Sequence, residues 1–139
     1  MRRHRRTPLA RAVPALCLCA GLAAAAPAHA QGTNGLAVDF EDKLLRLVEV
    51  LGSVQFLRQL CDAPEGNVWR RRAAAIIEAQ SGGEPPDEAV RAQLTAAFNR
   101  GYRAFSSYRR CTDSAIVAID RYVREGEALG RDILVRFGE

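Results

Sequence analysis

Beyond residue 30 the chain has no histidine and no methionine, because His4, His29 and Met1 account for all of both. Without imidazole there is no Ser-His-Asp or Cys-His pair, no imidazole metal ligand and no CxxCH for covalent haem. Cysteine is nearly as scarce. Cys17 and Cys19 fall in the first 30 residues, leaving Cys61 and Cys111 fifty residues apart. That spacing is neither a redox CxxC nor a zinc site, which takes four ligands. A phosphate-cradling loop is missing too: Gly32 and Gly35 precede the patterned region, and Ser81-Gly82-Gly83 follows a helical stretch instead of a strand. The sequence therefore implies no metal and no cofactor, and leans away from an enzyme.

What is present begins with an export signal. Residues 1–30 combine a basic start (Arg2, Arg3, His4, Arg5, Arg6), an apolar middle (Ala12 to Ala26) and Ala28-His29-Ala30. That is the order of a secretory signal peptide, with cleavage expected after Ala30 and a periplasmic product. The apolar middle, 15 residues from Ala12 to Ala26, is shorter than the ~20 a spanning helix needs. No later segment is apolar enough to be transmembrane. The formal charge of +4 also belongs to the precursor. Five of its 20 basic residues lie in the signal, which carries no acid, so 15 remain against 16 acidic ones. A net charge near −1 removes the basic surface that nucleic-acid binding requires.

The rest reads as a leader, 31–38, and one helical domain, 39–139. No stretch alternates with period two, and apolar residues recur by threes and fours throughout. A first helix over 39–60, with Asp39 as N-cap, carries Phe40, Leu44, Leu47, Leu51, Val54 and Leu57. A second follows Asn67 as cap and holds the only tryptophan, Trp69, expected in the core. Pro85 and Pro86 are expected in the first turn of the third, whose stripe is Val90, Leu94, Ala97, Phe98 and Gly101. Thr112 or Asp113 caps a fourth with the stripe Ile116, Ile119, Val123, Gly126, Gly130, Ile133 and Phe137. Gly126 and Gly130 are expected where another helix comes close. Short connections make neighbours antiparallel, so the fold class is all-α, a single antiparallel four-helix bundle-like domain. An up-down-up-down order brings the ends of the first and third helices to one pole. Cys61 and Cys111 lie at those ends, which predicts a Cys61–Cys111 disulfide in an oxidising compartment.

Candidate functional residues are few. Glu49, Asp120, Glu125 and Glu127 are the acids available for carboxylate chemistry of the glycosidase kind, which needs two of them ~5–9.5 Å apart in a cleft. Asp120, Arg124, Glu127 and Arg131 instead read as an alternating-charge ladder on one flank of the fourth helix. Arg70, Arg71 and Arg72 read as a solvated face. The first helix carries a second apolar stripe of Val38, Leu45 and Phe56, with Leu60 at its edge and Gly52 leaving a gap. A helix apolar on opposite sides is either enclosed or covers something. These four residues are the candidate partner surface, for an envelope protein or a second copy.

The stretches EDKLLRLVEVLGSVQFLRQLC (41–61), FNRGYRAFSSYRRCT (98–112) and RYVREGEALGRDI (121–133) carry a family likeness. The chain resembles small exported alphaproteobacterial proteins that share a two-cysteine domain of unknown function. The resemblance implies a periplasmic or envelope role and supplies no catalytic residues. Three readings follow: a non-enzymatic binding module, a carboxylate enzyme acting on cell-wall glycan, and a small holdase or inhibitor.

Overall fold

A computed structural model describes the backbone of residues 31–138. The expected signal peptide, 1–30, lies outside the described residues. These form four helices and no strand: α1 Gln31–Leu60, α2 Val68–Ser81, α3 Glu88–Ala104 and α4 Asp113–Phe137. α1 starts at Gln31, so it takes in the 31–38 segment that the sequence assigns to a leader. No proline interrupts that stretch, and Asp39 sits inside the helix, paired with Lys43 one turn on, instead of capping it.

Helix ends follow local chemistry, though not always by the expected residue. α1 closes in a Schellman turn: Asp62 adopts a left-handed φ of 51°, the Ala63 amide donates to the Arg58 carbonyl (3.0 Å) and the Asp62 amide to that of Gln59 (3.2 Å). Asn67 stands at the N-cap of α2, but its side chain caps nothing. The capping oxygen comes from α1, where buried Gln55 Oε1 accepts from the Arg70 amide (2.8 Å) and Gln55 Nε2 donates to the Gly66 carbonyl (3.0 Å). α3 begins after the prolines, with Asp87 accepting from the Val90 amide (3.0 Å). Thr112 caps α4 as expected, its hydroxyl accepting from the Ala115 amide (3.3 Å).

The helices do not enclose one shared core. α1 is a hub that packs against α2, α3 and α4, and α2 also packs against α3, while α4 meets neither α2 nor α3. Two apolar clusters result. Leu44, Val48 and Leu51 of α1 join Ala73 of α2 and Leu94, Ala97 and Phe98 of α3. Leu57 joins Ala115, Ala118 and Ile119 of α4. The opposed apolar stripes of α1 make this possible, since each serves a different neighbour.

Contacts fix the directions. Gly101 and Tyr102 of α3 lie beside the 49–59 stretch of α1, and Val90 beside Phe40 and Leu44, so α1 and α3 run parallel. Phe137 stacks edge-on against Phe40 (5.1 Å), so α4 runs back along α1. The Cys61–Cys111 disulfide joins the end of α1 to the start of α4 across a Cα–Cα distance of 4.8 Å.

The tightest helix crossing is between α1 and α3, away from the glycines of α4. A Cβ on Gly101 would fall inside the Glu49 carbonyl and 3.0 Å from the Ser53 nitrogen, and one on Gly52 would meet the Phe98 carbonyl. A Cβ on Gly126 would meet only side chains, Val50 Cγ1 at 3.2 Å and Leu47 Cδ1 at 3.9 Å, and one on Gly130 would have nothing within 4 Å. Ile116, expected inside, is half exposed at 51%; Ile119 of the same stripe is buried as expected, with Ala115 and Ala118 beside it against α1. The buried arc of α4 is rotated toward small residues, because alanine lets α4 lie close to Leu57.

The loop between α1 and α2 carries an acid-sensitive tie. Glu65 accepts from Arg58 Nε and from Trp69 Nε1 (3.4 Å). The Arg58 guanidinium, with backbone donors and Trp69, holds the Glu65 carboxyl down at about 2, from a usual 4.5. A lowered folded-state pKa stabilises above the unfolded value and stops doing so as the proton binds. The stability difference between the wild type and Glu65→Gln should therefore be full above about pH 4.5 and shrink to nothing as pH falls through about 2. Urea unfolding followed by Trp69 fluorescence at several pH values measures it. A gap that does not change with pH would exclude this role for the carboxylate.

Candidate functional site

Between α2 and α4 lies a groove of about 430 Å³. It exists because, of the other three helices, α4 packs against α1 alone. Its floor is α1, which contributes Leu47, Val50, Leu51 and Val54. One bank is α2, where Trp69 and Ile76 stand beside the small Ala75, with Arg72 at the rim. The other bank is α4: Tyr122 and Val123, then Gly126, whose missing side chain keeps the groove open, then Glu127. The interior is apolar, and charge occurs only at the edges. Arg72 lies flat over the Trp69 ring (4.9 Å) and makes no ion pair among the described residues. A second hollow of about 250 Å³ lies between the first part of α1, the end of α2 and the start of α3.

Ion pairs strap the open helix α4 onto α1. Arg46 Nε donates to Glu125 at 2.6 Å, and its Nη1 donates to Glu49 at 3.0 Å. Further along, Asp39, Lys43, Asp132 and Arg136 close a ring of alternating charge, with Lys43–Asp132 and Arg136–Asp39 both at 3.4 Å and Arg136–Asp132 at 2.9 Å. The Lys43 ammonium pulls the Asp39 carboxyl below the usual carboxylate range, and Asp39 in turn raises Lys43.

The acids named as catalytic candidates divide into two sets. Glu49 and Glu125 come together, but around Arg46, which pairs with both, and Glu49 also reaches Arg100 at 3.5 Å. Asp120 and Glu127 stay on the exposed side of α4, where Glu127 reaches only Arg131, at 3.9 Å. Of the expected ladder, that is the one rung within ion-pair distance. The four candidate partner residues also separate. Val38 is exposed at 57%; Leu45 packs against the α1–α3 cluster and lines the smaller hollow; Phe56 sits edge-on to Tyr102 (5.3 Å); Leu60 is half-buried at the end of α1. α3 has moved onto most of the second stripe. Arg70, read as a solvated face, spreads over Phe98 (5.3 Å) and Tyr102 (5.5 Å).

A family model described as a protein of unknown function, DUF2385, matches residues 39–137. The chain belongs to the DUF2385 family. Neither the curated proteins nor the solved structures contain a match to it. The DUF2385 domain thus comprises α4, α3, α2 and all of α1 beyond its first eight residues, and it includes the groove, the ionic straps and both disulfide cysteines. No helix among the described residues is long and apolar enough to cross a membrane, and no group of three His, Cys, Asp or Glu side chains among them could hold a metal.

The groove is what sequence reading missed. Trp69, expected as a core anchor, does touch the core, but its ring forms a wall. The available signal was the pairing of small residues with aromatics on two flanks, Ala75 beside Trp69 and Gly126 beside Tyr122. Only the separation of α2 from α4 turns that pairing into a hollow.

Proposed function

We propose that this DUF2385 protein is a non-enzymatic binding protein of the periplasm, which engages an envelope protein by taking one of its apolar side chains into the α2–α4 groove. The supporting observation is the groove itself: apolar floor and walls, charge confined to the rim, and an open mouth between two helices that do not meet. Ligand sites are of this kind, concave and mostly apolar with a few polar groups at the edge. A carboxylate hydrolase is less well supported, because the two acids that converge, Glu49 and Glu125, are held on Arg46. The periplasmic assignment rests on the signal-like residues 1–30 and on a disulfide that calls for an oxidising compartment.

A photoreactive amino acid placed at Ala75, on the groove wall, is expected to give a discrete cross-linked adduct in intact cells. The same group at Ala92, an exposed position of α3, should give none. Ile76→Glu, which puts a charge in the groove, should erase the Ala75 adduct. Identical adducts from both positions, or none from Ala75, would count against the groove as the binding site.

A further inference from the structure

The outward face of α4 repeats itself when read backwards. Asp113, Val117, Asp120, Arg124, Glu127, Arg131, Leu134 and Gly138 follow one another at alternating spacings of four and three, the seam of an antiparallel helix pair. Through residue 137 these positions are helical, and all are exposed. Turn the seam end for end about a point between Glu125 and Gly126, and Val117 meets Leu134, Asp120 meets Arg131, and Arg124 meets Glu127. Every apolar residue finds an apolar one, and every charge among these six finds its opposite. Beside the seam, Ile116 meets Val135 by the same rule.

Four of the five large hydrophobic residues exposed among the described residues lie on this face of α4. Ile116, Val117, Leu134 and Val135 are 51%, 66%, 69% and 85% exposed, and of the large exposed hydrophobics only Val38 lies elsewhere. Ile116 and Leu134 are 18 residues apart, as are Val117 and Val135, which is five turns at ~3.6 residues per turn, so each pair shares a face. Between them Asp120 and Arg124 make no ion pair with any described residue, and the one rung of the ladder that forms, Glu127–Arg131, is long at 3.9 Å.

We infer that the occupant of this face is a second copy of the chain, in a two-fold dimer whose α4 helices pack antiparallel with Val117 and Ile116 against Leu134 and Val135 of the other copy. An isologous contact of this kind requires a self-complementary patch, and the backward repeat supplies one in both charge and apolarity. The aliphatic ends exclude water, while the charged middle sets direction and register: a parallel pairing would set like charges opposite one another. The seam lies on the side of α4 turned away from α1, and the inference does not depend on the groove having a ligand.

Charge exchange tests it in the purified, disulfide-intact protein. By sedimentation equilibrium the wild type should associate, and Asp120→Arg or Arg131→Asp should each weaken association by about tenfold, since two-fold symmetry makes each change act twice. The double variant D120R/R131D restores opposite charges across the seam and should recover to within about threefold of the wild type. Circular dichroism shows that each variant keeps its helices, and Leu134→Glu should abolish association while leaving Trp69 fluorescence unchanged. A wild type that stays monomeric to about 1 mM, a double variant no tighter than the singles, or a photoreactive group at Val117 that captures only a different protein, would each overturn the dimer.

Discussion

Replacing Gly101 with alanine is expected to cost about 3–5 kcal/mol of folding stability, the largest effect of any single methyl group in this domain. The reason is backbone on backbone. α1 and α3 cross so closely that the space of the Gly101 Cβ is occupied by the Glu49 carbonyl, with the Ser53 nitrogen 3.0 Å away. No rotamer can relieve that overlap; the two helices have to separate. Separation also breaks the bond that depends on the crossing, in which the Ser53 hydroxyl donates to the Gly101 carbonyl (3.2 Å). It further loosens Leu94, Ala97 and Phe98 from α1. Gly52→Ala should behave alike, because its Cβ would meet the Phe98 carbonyl from the other side. Gly130→Ala is the contrast. Nothing lies within 4 Å of that position, so alanine brings only its helix propensity and should stabilise by ~1 kcal/mol. Urea denaturation of the three variants measures all of this, and a mild cost at Gly101 would mean that the helices are not locked at this crossing.

That contrast marks where the sequence was legible and where it was not. The apolar stripe of α3, with Gly101 in it, could be read from spacing, as could the Thr112 cap and the pairing of Cys61 with Cys111. Each depends on local order or on which helix ends share a pole. Asn67 could not be judged in this way, because the oxygen that caps α2 comes from Gln55, twelve residues earlier on another helix. Nor could the glycines be ranked. Gly126 and Gly130 sit in the most regular stripe and suggested the tight approach, yet the tight approach is at Gly52 and Gly101. Spacing tells which residues share a face but not how far away the facing helix lies.

The second stripe of α1 and the groove follow the same logic. Periodicity showed that α1 is apolar on opposite sides, and that much is what makes it a hub. It did not show that α3 would take most of Leu45 and Phe56, or that α4 would stand clear of α2 and leave Trp69 as a wall. Both outcomes depend on how the helices share the circumference of α1. Three neighbours, two of them in contact with each other, leave an open sector on the third side. The candidate site is therefore a consequence of topology more than of any motif.

Replacing both Cys61 and Cys111 with alanine is expected to lower stability by roughly 4 kcal/mol, from the closure of a loop with a sequence separation of 50. For a domain of about 100 residues that amounts to roughly 15–30 °C in melting temperature. The loss should not be spread evenly. Of the other helices α4 packs only on α1, through a small cluster of Leu57, Ala115, Ala118 and Ile119 near its start, covered by Phe105 and Tyr108 of the connecting segment, and further along through ion pairs and one aromatic contact, Phe137 on Phe40. Exposed ion pairs are each worth at most ~1 kcal/mol, so they cannot hold the helix if its tethered end is freed. By contrast α1, α2 and α3 share the larger cluster and the Gly52–Gly101 crossing, and neither involves a cysteine. Amide hydrogen exchange on the double variant should therefore show α4 losing protection while α1–α3 keep most of theirs. Equal loss in all four helices would mean that the bond acts only on the unfolded chain and that α4 is as firmly packed as the rest. Unequal loss would identify α4 as the element whose position depends on the redox state of the compartment, and with it the wall of the groove.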